Sequence, residues 1–400
     1  MGKRTKLLAT LVAGVLLSTS LVGCFDGDDK NGGEESKELL IYVNSVKEEY
    51  DAFNKIAQDW AKDKGYKVKV QFSDSKKFQE LMPIMKSKNC PDIILGVPHD
   101  NLGNFVKAGL VAEVPDGTID TSALTSEELL SASSIDGKQY AIPTGEDTVA
   151  LFYNKDKVKT LPTSMEEVAK MAKDDKLGFQ YDITNFYHNA GLILAGDGYV
   201  FKKDDSGKYD TSDIGYTSDS AKAAFKYIKS LKDDGLMDEA TTGDSAKAAF
   251  LDGSSAFYIS GPWDITAVKD GGVNFGVMPL PTLNGQTTHP FMGAQIGFVN
   301  KNSKLQDEAF EFFKDNYEDL CKQSYEVGNR LPALSSIEPE TEELKQFTEA
   351  VKNATMTPNI PEMSNAWDPV KNNVTLMLQG QETPDECATK ATEDLKNAIK

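Results

Sequence analysis

The sequence predicts an α/β fold built as two lobes, on three observations. Apolar strands alternate with amphipathic helices through the first hundred residues. The chain is 400 residues long, which favours two domains over one. Residues 139–154 read as a strand, a polar break and a second strand, the pattern of a chain leaving one lobe and entering another. At that break Pro143 fixes its own φ and Gly145 tolerates a positive one, so a turn there is unstrained. Glu146 and Asp147 sit at the same place, where they can face a cleft instead of a core.

The elements follow in order. Residues 38–44 form a short apolar strand, and Tyr50, Phe53, Ile56, Ala57 and Trp60 then recur at helical spacing until Lys64-Gly65. A second strand covers 68–72, a helix runs from about 76 to 88, and 91–95 is a buried strand. This alternation implies a mostly parallel sheet covered on both faces. Asn44, His99 and Asp100 lie at the carboxyl ends of its strands, where such sheets place ligands.

Beyond the break, helices are expected at 163–173, 219–232, 244–251, 305–317, 340–352, 366–378 and 384–399. Strands are expected at 255–260, 273–280 and 291–299, the last with Gly293 and Gly297 marking a second crossing. Asp204, Asp205, Asp210 and Asp213 lack calcium-loop spacing and read as a solvated hairpin.

Residues 1–23 read as a signal segment. Lys3, Arg4 and Lys6 precede an apolar run at 7–17 that is too short for a membrane span. Leu21-Val-Gly-Cys24 looks like a lipobox, with lipidation of Cys24; an ordinary secretory signal with a chance cysteine is the competing reading. Residues 24–37 are polar and glycine-rich, a flexible tether. The formal net charge of −19 argues against nucleic-acid or anionic-lipid partners. Cys90, Cys321 and Cys387 are spaced wrongly for zinc and read as buried thiols, with one pair possible. His99, His188 and His289 lie far apart, so no metal is expected, and there is no phosphate loop or hydrolase elbow.

Two tryptophans stand out. Trp263 follows a strand behind Gly261-Pro262, and Trp367 opens a helix after the irregular stretch 358–361. Each is either a half-buried packing residue or a cleft wall for a sugar, whose C–H face an indole covers. Such stacking hides on the order of 50 Å² and contributes about 1 kcal/mol.

In order along the chain, Leu39-Leu-Ile-Tyr-Val-Asn44, Pro91-Asp-Ile-Ile94, His99-Asp100, Lys107-Ala-Gly-Leu110 and Tyr153-Asn-Lys-Asp156 are followed by Gly207-Lys-Tyr-Asp210, Gly261-Pro-Trp263, Leu280-Pro-Thr282 and Pro358-Asn-Ile-Pro-Glu-Met-Ser364 with Trp367. In these stretches the sequence resembles the maltose/maltodextrin-binding proteins of ABC importers. The resemblance implies a two-lobed, type II periplasmic-binding-protein-like fold with a hinge, closing on an α-1,4-glucan by rotation. Its lobes would be 38–145 with 297–340, and 146–296 with 341–400. It implies Lys47, Asp100, Asp147 and Tyr187 as sugar-contacting groups, Trp263 and Trp367 as stacking rings, and Lys371 as a basic partner. Asn185 and Asn101 stand where the family has a carboxylate and an arginine; Val97 and Val46 replace a tryptophan and an aspartate. A monomer without cofactor, held to the outer face of the cytoplasmic membrane and delivering ligand to permease subunits, is the implied setting. The competing readings are an importer component with another oligosaccharide as cargo, a sensor partner in place of the permease, and a secreted glycoside hydrolase using Asp100 and Asp147.

Overall fold

The computed structural model describes residues 38–73, 78–204 and 207–400, so Cys24, the leader, the tether and Asp205 lie outside the described residues. The first sheet has six strands. Thr355–Met356, Phe291–Val299, Ile93–Pro98, Glu38–Asn44 and Lys67–Ser73 lie in that order, and Ile142–Thr148 also pairs with Phe291–Val299. Glu38–Asn44 runs parallel to both its neighbours, whereas Phe291–Val299 is antiparallel to Ile93–Pro98 and to Ile142–Thr148. The sheet is therefore mixed. The sequence predicts a mostly parallel one because the antiparallel partner arrives some two hundred residues later and leaves no local trace.

The helix Lys47–Lys64 buries Phe53, Ala57, Trp60 and Ala61 on one face. Glu48 and Glu49 open it, Lys62 and Lys64 close it, and Gly65 caps it with φ 75°, charges and cap all favouring the helix ends. Trp60 clamps it to the helix Gln306–Glu326, donating to Asp315 at 3.0 Å and meeting Phe312 edge-on at 5.3 Å. That second helix continues well past the expected Tyr317. Its far end carries Tyr325 into a cluster with Phe152, Phe275 and Phe347. The expected helix at 76–88 shrinks to Phe78–Glu80 and Leu81–Met85, residues 76 and 77 being outside the described residues.

The second sheet orders Phe275–Met278, Ala150–Asn154, Phe257–Ser260 and Phe179–Gln180. Phe152 lies at the centre of one face, stacked on Phe275 at 5.7 Å and 16° and crossed by Phe250 and Phe347. Each such ring pair adds about 0.5–1.5 kcal/mol beyond simple burial. The helices Trp367–Leu378 and Pro384–Ala398 bury Val370, Val374, Cys387 and Leu395 in the large core on the other side. Thr383 and Glu386 form a capping box at the start of the last helix.

Where the chain passes between the two cores, strand structure is kept. Ile142–Thr148 continues through Pro143 and Gly145 with a register shift at Thr144, and the interruption falls at Val149 before Ala150–Asn154 begins. Gly145 has no positive φ; its role is steric, since a Cβ there would lie 2.7 Å from Cβ of Arg330. Phe291 belongs to the second large core, whereas Ala294, Ile296 and Phe298 of the same strand belong to the first. A third passage follows Thr355–Met356. There Asn359 turns back and donates its amide to the carbonyls of Ser134 at 2.9 Å and Ser131 at 3.0 Å.

Cys90 is half-buried and Cys321 and Cys387 are buried, all three free thiols, so the pairing left open by the sequence is absent among them. The strands Phe201–Lys203 and Tyr209–Ile214 form the hairpin that carries Asp210 and Asp213.

Candidate functional site

Neighbouring residues on a strand face opposite ways, and this separates the two acidic residues of Ile142–Thr148. Glu146 accepts from the Thr125 hydroxyl at 2.8 Å, and its main chain pairs with Leu331 in both directions at 2.9 Å. Burial raises its carboxyl to about 7. It belongs to the packing, not to a cleft, contrary to the expectation for both acids.

Asp147 is different. Its Oδ2 accepts from Arg330 Nη1 at 2.8 Å and from Gln295 Nε2 at 2.9 Å, while its Oδ1 is buried with no partner among the described residues. Arg330 also reaches Glu49 at 3.4 Å. Burial works against the guanidinium's charge, and Asp147 and Glu49 more than offset it. Burial likewise raises the Glu49 carboxyl, with Arg330 pulling the other way.

The hydroxyl of Tyr187 donates to the main-chain carbonyl of Asp147 at 3.3 Å. Its ring lies 6.3 Å from Trp263 and 6.2 Å from Phe291. Phe291 in turn meets Trp367 edge-on at 5.7 Å. Tyr187, Trp263 and Trp367 are all partly exposed, unlike Phe186 and Phe291 beneath them. The Gly-Pro-Trp motif has a steric reason: a Cβ on Gly261 would sit 2.1 Å from the Trp263 ring, which folds back over it.

The Trp367 side chain, a ring of the second core, lies near enough to Asp100, just past the end of a strand of the first sheet, to favour its charged form. Asn101 donates to the same carboxylate at 3.1 Å, and burial raises Asp100 to about 7. His99 supports the turn from inside. Its Nδ1 accepts from Ala294 N–H at 3.0 Å, and its Nε2–H donates to the Thr357 carbonyl at 2.8 Å.

The sequence-predicted residues thus divide. Asp100, Asp147, Tyr187, Trp263 and Trp367 come together at the junction of the cores. Asn185 caps the helix Phe186–Ile193 through Tyr187 N–H at 2.9 Å, and so sets Tyr187 without displaying its own acceptor elsewhere. Lys47 pairs with Asp51 and lies 5.1 Å over the Tyr50 ring; Lys371 is exposed one turn beyond Trp367. Neither makes a described contact with the cluster. Val97 is fully buried in the first core, and Val46 is exposed.

Sequence reasoning missed Glu49, Arg330 and Gln295. Two signals were available. Glu49 continues the buried stripe of Phe53 and Ala57 at a spacing of four, and Arg330 is the only arginine besides Arg4.

The arrangement offers flat apolar rings beside two carboxyl groups and no described group of side chains able to hold a metal. It suits a ligand with an apolar face and a rim of hydroxyls. Residues 52–355 match the model of the bacterial extracellular solute-binding proteins. The chain is 31% identical to the maltooligosaccharide ABC transporter solute-binding lipoprotein of Streptococcus pneumoniae, across 100% of this chain and 97% of the relative. It is 28% identical to the galactooligosaccharide-binding protein of Bacillus subtilis, across 100% and 98%. The maltose-maltodextrin binding protein of Alicyclobacillus acidocaldarius superposes with a TM-score of 0.83 at 30% identity, covering 90% of this chain and 100% of that one.

Proposed function

Because the chain belongs to the bacterial extracellular solute-binding protein family and has the type II periplasmic-binding fold, we propose that it captures α-1,4-linked glucose oligosaccharides between its lobes. The observation that carries this reading is the junction cluster: three partly exposed rings, Tyr187, Trp263 and Trp367, beside Asp100 and Asp147. The rings would stack on pyranose C–H faces, and each charged acceptor would add about 1.5–3 kcal/mol per hydroxyl, before other binding costs. Lys47, Lys371, Asn101 and Asn185 complete the proposed set at its margins.

The lobes are taken as 38–145 with 297–340, and 146–296 with 341–400. Only a closed form lets both lobes contact one ligand, so ligand favours closure by that difference in affinity. The protein would work as a monomer without catalysis or cofactor, handing ligand to permease subunits. A lipid on Cys24 would hold it at the outer face of the cytoplasmic membrane, in keeping with the lipoprotein name of the pneumococcal relative.

A second reading, a galactooligosaccharide ligand, is favoured by the galactooligosaccharide-binding relative of Bacillus subtilis and by Val97, which is buried where the resembled family can carry a further tryptophan. Calorimetry with maltose, maltotriose, maltoheptaose, a galactooligosaccharide and a β-linked glucan separates the two. Micromolar binding to the α-glucans supports the first. Silence with all of them in a folded protein sinks it, and binding to the galactoside alone establishes the second.

A further inference from the structure

The chain carries 43 lysines and arginines, of which only Arg4 and Arg330 are arginine. The one in the folded body lies 9% exposed between two carboxylates, Asp147 at 2.8 Å and Glu49 at 3.4 Å. A guanidinium stays charged when buried and holds its donors in a rigid fork, neither of which a lysine does. The backbone is shaped to admit it. Gly145 leaves room for its stem, and Gly328 leaves room for Glu49, whose Oε1 would lie 2.5 Å from a Cβ there. Arg330 N–H donates to Ser324 at 3.0 Å, and the next residue pairs with Glu146, so the side chain enters from a fixed point.

The fork leaves Asp147 in an unequal state. Oδ2 takes both protein donors, from Arg330 and Gln295, and Oδ1 takes none although it is buried. Arg330 Nε is likewise buried without a partner among the described residues. Open valences of this kind are costly unless something arrives to fill them. A hydroxyl donates, so it complements the open carboxylate oxygen of Asp147. The rings that would hold its sugar adjoin Asp147 through Tyr187, whose hydroxyl is bonded to the Asp147 main chain.

We propose that Arg330 is a positioning residue for ligand specificity: by fixing Asp147 through Oδ2 it reserves Oδ1 for one particular sugar hydroxyl. The proposal rests on the oligosaccharide reading above. Without the fork the carboxylate can rotate and exchange its oxygens, and the demand for that one hydroxyl is lost. A site built to bond a hydroxyl rejects the analogue lacking it far more strongly than an apolar pocket does.

The test is calorimetry on the full chain with methyl maltoside and its single-deoxy analogues. Alongside the wild type go Arg330→Lys and the double variant Glu49→Gln/Arg330→Met, which replaces a cation and an anion together and leaves the group's net charge unchanged. The wild type is expected to lose tenfold or more in affinity, on the order of one hydrogen bond to a charged group, for one deoxy position. In the double variant that penalty should fall below about threefold, with Arg330→Lys between the two. Melting curves of each variant report stability separately. An equal affinity loss across all analogues, or an undiminished deoxy penalty in either folded variant, overturns the positioning role while leaving the sugar reading intact. A folded wild type that binds none of the α-glucans overturns both.

Discussion

His99 Nε2 lies 2.8 Å from the carbonyl oxygen of Thr357, and the opposite ring nitrogen accepts from Ala294. One imidazole therefore joins two of the segments that pass between the cores, and it does so only as the neutral Nε2–H tautomer. Burial lowers its pKa to about 4 from the ordinary 6.5. A depressed histidine contributes stability above its unfolded pKa and loses it as pH falls through the folded one. The unfolding free-energy gap between wild type and His99→Gln should thus narrow between pH 6.5 and about 4. Denaturant titrations at several pH values measure it; a gap that widens on acidification contradicts the assignment.

Glu146 has the opposite sign. Its folded pKa of about 7 exceeds the ordinary 4.5, so its contribution is complete at low pH and is lost as pH rises through 7. Glu146→Gln keeps a partner for Thr125 without the charge. Relative to wild type it should gain stability between pH 5 and pH 8 in urea unfolding, and a constant difference across that range refutes the prediction.

Trp367→Phe retains a ring against Phe186 and Phe291 but removes the larger indole, with its N–H, that lies near Asp100. Its melting temperature should stay within a few degrees of wild type while affinity for maltotriose falls about tenfold. Isothermal titration beside a melting curve separates the two effects.

Gly145→Ala and Gly261→Ala test the two steric roles. The first pushes a methyl group against the Arg330 stem, and overpacking of this kind costs about 1–3 kcal/mol. The second displaces the Trp263 ring, so ligand affinity should fall by more than stability does. Comparable losses of stability in both would show that Trp263 serves packing alone.

Cys90 should react with a thiol reagent in the native protein well before Cys321 and Cys387, which are buried and have their pKa values raised by burial. Counting labelled thiols by mass against time, with and without denaturant, checks the order.

The elements readable from the sequence are those whose pattern is local. The helix Lys47–Lys64 declares itself by periodicity, charged ends and Gly65. The helix Gln306–Glu326 hides its second half, because Glu318, Asp319, Lys322 and Gln323 surround Leu320 and Cys321 and the stripe reads as broken. At the site, the aromatic rings were legible as bulky residues at element ends. The acid pair was legible by type but not by side: only the strand pairing, with Gly293 opposite Asp147 and Ala294 opposite Glu146, decides which one faces the rings. Arg330 acquires its meaning from Glu49, almost three hundred residues earlier, a distance over which no sequence window looks.

The strand Phe291–Val299 lies inside the first sheet, between Ile93–Pro98 and its partners near the crossing. On a ribosome the amino-terminal strands therefore emerge long before the one that pairs with them. Until it arrives, Ile93–Pro98 has an open edge and the growing chain cannot commit to its final state. Pairing across some two hundred residues must meet its loop-closure cost before any contact rewards it, so the first core is the slower of the two to form and its completion waits on the last third of the chain.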